Sequence, residues 1–279
     1  RLLASLGING LAINSVNANP LVLTLEFLPQ IKQVADVLRP WGVQVVLAVD
    51  FASPQKVGRL ETYDPLDSRV VDWWKNTVDT IYSRVPDLAG IVLKADSEGR
   101  VGPSAYKRTH ADAANVIARA LKPHGGLFCY RGFVYDHRMD WRNLKNDRAR
   151  AAYDNFKSLD GQFDDNVIIQ IKHGPIDFQV REPASPLFGA LDKTGEAIEL
   201  QITQEYFGQA RHLVFLPTMW KETLDFDMRI RDRTTPVKKI VTGFVGVSNV
   251  GTSESWYGNH MSQANLYGFG RLAWNADLT

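Results

Sequence analysis

Apolar and polar positions along the chain follow two alternating periods. In Val167-Ile168-Ile169-Gln170-Ile171-Lys172 the residues at 167, 169 and 171 are apolar, which predicts a strand with one face toward a helical layer and Gln170 and Lys172 on the other. Six more segments read as short strands: Gly10 to Asn14, Val43 to Asp50, Gly90 to Ala95, Gly126 to Arg131, Ile198 to Glu205 and Gly243 to Asn249. Between them the period changes to that of a helix. Pro29 to Leu38 carries Ile31, Val34, Ala35 and Leu38 on one stripe. Arg69 to Val85 repeats Val70, Trp74, Val78, Ile81 and Val85 behind Asp67 as N-cap. A third helix, Ala111 to Leu121, stops before Pro123 and the pair Gly125-Gly126. Arg1 to Leu6 reads as the last turns of a helix closed by Gly7, as if more chain belonged upstream.

Strands alternating with helices predict an α/β architecture with a parallel sheet. Seven strands in this order fit either an open doubly wound sheet or a closed barrel short of one member. An open nucleotide-binding sheet places a glycine-rich turn after its first strand, but here that turn reads Asn14-Ser15-Val16-Asn17-Ala18-Asn19-Pro20. A (β/α)8 TIM barrel instead carries its chemistry on the C-terminal ends of several strands. Those ends are polar here, so the expected fold is such a barrel, lacking its first strand in this chain.

The strand ends deliver two kinds of charge. Lys94, Arg131 and Lys172 close three successive strands and would meet on one rim. Several cations converging in a barrel mouth need paired carboxylates or an anionic ligand. A phosphate would also recruit a glycine-rich loop, so a carboxylate is the favoured ligand. Glu98, Asp177 and Glu205 also lie at or beyond strand ends, and in the strand that holds Ile198, Leu200 and Ile202 the opposite face carries Gln201, Thr203 and Glu205. Paired carboxyl groups are what glycosidic bond cleavage requires: one protonates the leaving oxygen, the other activates water or attacks directly.

Composition removes competing classes. The chain has 279 residues, 44% hydrophobic and 10% aromatic, enough for a full core. Its 32 basic and 31 acidic residues leave a net charge of +1, with no overall field toward nucleic acid or an anionic membrane. Basic and aromatic residues do not cluster on one element, and no apolar run approaches the ~18 residues of a membrane span. His110, His124, His137, His173, His212 and His260 show no zinc-ligand spacing, so neither a metal nor a cofactor is expected. No serine sits in a nucleophile elbow. The single cysteine, Cys129, reads as a buried structural thiol. Among the aromatic residues, Trp74 fits a core stripe. Trp220 and Trp256 suit either sugar stacking or core packing; Trp73, Trp141 and Tyr257 carry no assignment.

Four segments carry a specific likeness: Leu93-Lys94-Ala95-Asp96-Ser97-Glu98-Gly99; the run from Gln170 through His173-Gly174-Pro175-Ile176-Asp177-Phe178-Gln179 to Pro183; Gln201-Ile202-Thr203-Gln204-Glu205-Tyr206; and Gly270-Arg271-Leu272-Ala273-Trp274-Asn275. Together they resemble the catalytic barrel of the family 67 α-glucuronidases along nearly the whole chain. The resemblance implies hydrolysis of the α-1,2 bond between glucuronic acid, or its 4-O-methyl ether, and the terminal xylose of xylan-derived oligosaccharides, with inversion. It implies that Glu98 is the general acid, that Asp177 and Glu205 handle the attacking water with either as the base, and that Lys94, Arg131 and Lys172 bind the uronate. By the same likeness residues 1–279 form a partial catalytic barrel domain, without the family's N-terminal β-rich and C-terminal helical regions. The implied partner is a glucuronoxylan-derived oligosaccharide, and the full-length protein would be a homodimer. His173 departs from the family pattern, where asparagine or another polar residue is more usual. Two readings stay beside this one: a retaining hydrolase of another acidic oligosaccharide, and a non-catalytic uronate-binding protein or inactive fragment.

Overall fold

The computed structural model describes residues 1–14, 17–134, 140, 142–143, 147–176, 178–179, 182–203, 214–248 and 263–278. Among them, seven strands form one sheet: β1 (Gly10–Ile13), β2 (Gln44–Asp50), β3 (Gly90–Lys94), β4 (Leu127–Arg131), β5 (Val167–Lys172), β6 (Gly195–Gln201) and β7 (Gly243–Val247). Neighbours in sequence are neighbours in the sheet, and every pair is parallel. Parallel neighbours need a crossover connection, and among the described residues α2 (Leu28–Leu38), α3 (Ser53–Lys56), α4 (Ser68–Arg84), α5 (His110–Leu121), α6 (Ala151–Phe156) and α7 (Pro217–Asp225) lie on such connections, the one from β5 to β6 carrying no helix, while α1 (Leu2–Ser5) precedes β1 and α8 (Gln263–Trp274) follows β7.

This sequential order belongs to a (β/α) barrel, not to a doubly wound sheet, whose strand order reverses at a switch point. Among the described residues β1 and β7 are the two edges, and the sheet curls so that its ends approach. The indole of Trp274 on α8 donates to the carbonyl of Gly7 at 2.8 Å. Gly7 has φ +79, and a Cβ there would overlap that indole, so the contact requires glycine. The architecture is a TIM-barrel-like sheet short of one strand.

The helices form where the periodicity places them. Asp67 caps α4 by accepting from the Arg69 N–H at 2.9 Å, and α4 buries Val70, Trp74, Val78 and Ile81. Thr109 and Asp112 make a reciprocal capping box at the start of α5. Burying each large apolar side chain of such a stripe contributes ~1.5–3 kcal/mol. The outer face of the sheet, with Leu47, Ile91, Leu93, Tyr130, Ile169, Ile171, Ile198 and Leu200, packs under these helices as the main core. The inner face holds a small second cluster of Ala18, Ala48 and Val92, with Val46 and Cys129 against it. Cys129 is thus partly, not fully, buried and faces the lumen; burial pushes its thiol up to about 11, which leaves it protonated and unreactive.

The sixth strand differs from expectation. It runs from Gly195 to Gln201 instead of Ile198 to Glu205, because β5 pairs Ile168 with Gly195 and Lys172 with Glu199. Two glutamates inside one strand hide it from a hydrophobicity reading. Glu196, buried at the start of β6, is satisfied locally, accepting from the backbone N–H groups of Gly189 and Leu191 at 2.9 and 3.2 Å. For Trp220 the structure decides between the two expectations, sugar stacking and core packing. It lies on α7, fully buried, edge-on to Phe269 of α8, and is a core residue. Trp141, Trp256 and Tyr257 lie outside the described residues, and among those described no helix is long and apolar enough to cross a membrane.

Candidate active site

Alternation along the strands directs Asp50, Lys94, Arg131, Gln170, Lys172, Glu199 and Gln201 to the lumen side near the C-terminal ends, and all seven are buried. Register sets their neighbours. Asp50 pairs with Lys94, Arg131 with Gln170, and Lys172 with Glu199.

Lys94 ends β3 with its side chain 2% exposed, and its ammonium contacts the carboxylate of Glu98 and the side-chain oxygen of Asn17, the latter at 3.2 Å. Burial lowers its pKa; the Glu98 contact works against that, while nearby Arg131 and Arg100 add to it. Glu98 itself is 37% exposed, so a side chain open to solvent is held by one that is not.

The turn that carries Glu98 is conformationally special. Asp96 has φ +47, Glu98 +50 and Gly99 +77, so two non-glycine residues are held left-handed within one turn. Neighbouring contacts over-determine it. The Asp96 carboxylate accepts from the Ser104 backbone at 3.0 Å and its hydroxyl at 2.5 Å, and a Cβ at Gly102 would sit 2.4 Å from the Asp96 carboxyl carbon. Arg100 donates to the Asn17 carbonyl at 2.9 Å and reaches Asp50 at 3.4 Å. Asp50 also takes Lys56 at 2.8 Å. A cavity of about 200 Å³ opens here, lined by Asp50, Lys56, Tyr63, Lys94 and Arg100 among others.

On the other side of Lys94, Arg131 presents Nε and Nη2 to both oxygens of Glu199 at 2.7 and 2.5 Å, and the Gln170 amide donates to the same carboxylate. Glu199 is 0% exposed. Burial pushes its carboxyl up, but Arg131, Lys172 and Gln170 more than reverse this, so it stays below the ordinary glutamate value and ionised. Lys172 places its ammonium 3.4 Å from the ring centre of Phe133 and 4.6 Å from that of Phe178, both buried. The adjacent His173 is buried with neither ring nitrogen hydrogen-bonded among the described residues; burial lowers its pKa to about 4, leaving it neutral.

The structure therefore brings Lys94 together with Glu98, and Arg131 and Lys172 together around Glu199. Asp177 and Glu205 lie outside the described residues. The sequence reading does not single out Glu199 or Asp50, although for Glu199 a signal exists: it shares lumen parity with Gln201 and Thr203. Glu199 falls second in the strand expected from Ile198 to Glu205, and Asp50 last in the strand expected from Val43 to Asp50. Among the described residues, no group of three or more His, Cys, Asp and Glu is arranged to hold a metal.

The pattern of the glycosyl hydrolase family 67 middle domain matches residues 1–256. The chain belongs to this family. Its similarity to family relatives extends over its whole length: it is 54% identical over 287 residues to the probable alpha-glucuronidase A of Neosartorya fischeri, covering 100% of this chain. To the alpha-glucuronidase of Hypocrea jecorina it is 54% identical over 286 residues, covering 99%. The chain spans 34% and 33% of those two proteins, about a third of each. Among solved structures, a cellulase–inhibitor complex shares the fold, with a TM-score of 0.52 and 15% identity over 98% of this chain and 84% of that one. The charged groups of the rim sit at the C-terminal ends of the strands, the face on which (β/α)-barrel enzymes carry their active sites.

Proposed function

We propose that this domain is the catalytic barrel of an α-glucuronidase that releases glucuronic acid, or its 4-O-methyl ether, α-1,2-linked to the terminal xylose of xylan-derived oligosaccharides, with inversion. The observation that carries the reading is the convergence of Lys94, Arg131 and Lys172, all buried, from three consecutive strands, with Lys94 on the carboxylate of Glu98. Glu98 and Glu199 adjoin these three cations, and a uronate would add a further negative charge to the rim that a neutral sugar does not supply.

In this reading the substrate carboxylate engages the cationic rim and draws Lys94 away from Glu98. Released from Lys94, the Glu98 side chain is placed to act as the general acid. Water attacks the anomeric carbon from the face opposite the leaving group; Asp177 or Glu205 takes its proton, the glycosidic C–O bond breaks, and the Glu98 proton goes to the xylose oxygen. The energy of binding the uronate helps hold this geometry.

NMR product analysis of a glucuronoxylan oligosaccharide treated with the full-length protein tests the proposal. The expected product is free glucuronate, first seen as the β anomer. The α anomer as first product would make the enzyme a retaining one, and no release at all would overturn the reading.

A further inference from the structure

The rim contains a carboxylate that no step of the proposed hydrolysis uses. Glu199 lies behind Arg131, fully buried, with both oxygens committed to the guanidinium and one also to Gln170. Its register partner on β5 is Lys172. Two of the three rim cations therefore adjoin one permanent negative charge.

Stability gives little reason for this arrangement. A buried ion pair can often be replaced by uncharged groups of similar volume without loss. For binding an anion, Glu199 is a handicap, because it repels any negative ligand that docks on Arg131. That repulsion scales with the ligand's charge. It is felt once by a sugar monocarboxylate and twice by a phosphate dianion.

We propose that Glu199 is a specificity determinant that, acting through Arg131 and Lys172 without touching the ligand, restricts the anion site to a monocarboxylate and excludes phosphate. The inference rests on the glucuronidase reading above and deepens it. The clamp serves a second purpose. A guanidinium held along its Nε–Nη2 edge has one orientation in the rim, which suits a planar carboxylate.

The test compares D-glucuronate with inorganic phosphate at pH 8, where phosphate is mostly dianionic, by inhibition constants or calorimetry on the full-length protein. The wild type binds glucuronate more tightly than phosphate. In Glu199→Gln the affinity ratio moves toward phosphate by on the order of tenfold, the effect of removing one nearby charge in a partly screened site. Glu199→Asp keeps the charge and holds the ratio within about twofold of wild type. A general loosening of the fold would weaken both ligands and leave the ratio in place, so the ratio separates specificity from structure.

An unchanged ratio in folded Glu199→Gln, or an equal change in Glu199→Asp, overturns the assignment. If Glu199→Gln does not fold, the wild type still decides: tighter binding of phosphate than of glucuronate overturns it. A wild type that binds no glucuronate overturns the glucuronidase reading, and this one with it.

Discussion

Lys94 and Glu98, four residues apart, form an ion pair between the buried end of β3 and a left-handed turn above it, 2% and 37% exposed respectively. A pair this unequal is easily broken from one side. Glu98 can turn to solvent, whereas Lys94, fixed in the rim, must exchange one anion for another. This asymmetry makes Lys94 the natural meeting point between a substrate carboxylate and a proton donor.

Replacing Glu98 with glutamine removes the proposed donor but keeps its shape. Release of glucuronate from aldouronic acids should fall by at least about a hundredfold, with ligand binding retained, measured by steady-state kinetics and calorimetry. Near-normal turnover would remove Glu98 from the reaction.

Lys94→Met should raise KM for an aldouronic acid by about tenfold or more, the order expected for losing a charge-assisted contact, and should leave binding of the neutral xylo-oligosaccharide portion unchanged. Equal weakening of charged and neutral ligands would show that Lys94 acts on the fold and not on the uronate.

Stability should respond to pH through Glu196. Burial raises its pKa from 4.5 to about 7. A raised folded pKa means that its contribution is fully present below about pH 4.5 and lost as pH rises through about 7. Urea unfolding should show the wild type losing about 2–3 kcal/mol from this source between about pH 5 and 8, and Glu196→Gln lacking that loss. His110 and His173, both lowered to about 4 by burial, act in the opposite sense: their contribution is present above the ordinary histidine value of 6.5 and lost as pH falls through about 4. A Glu196→Gln protein with the wild-type pH profile would contradict this account.

Trp220, at 0% exposure, should matter for folding alone. Trp220→Ala should cost about 3–5 kcal/mol in unfolding experiments and leave KM within about twofold, because the ring lies between α7 and α8 and not in the lumen. A large rise in KM with little loss of stability would favour the sugar-stacking alternative instead.

Much of the fold was legible because it rests on local pattern. The limits of β5, the stripe of α4 and its Asp67 cap, and the alternation that turns Lys94, Arg131 and Lys172 inward all follow from side-chain periods of two and 3.6, which are properties of the backbone. The hydrophobic pattern failed at β6, where Glu196 and Glu199 interrupt it. The sequence does not show that backbone amides of a preceding loop satisfy one and that Arg131, 68 residues away, satisfies the other.

By itself, then, the sequence determined which elements form, which faces they bury and which charged residues reach the rim. Only the tertiary structure decided how those charges are paired. Pairing depends on which strands lie side by side and in what register, and a shift of one residue in β6 would have turned Glu199 out of the lumen and left Arg131 without the carboxylate that now holds it.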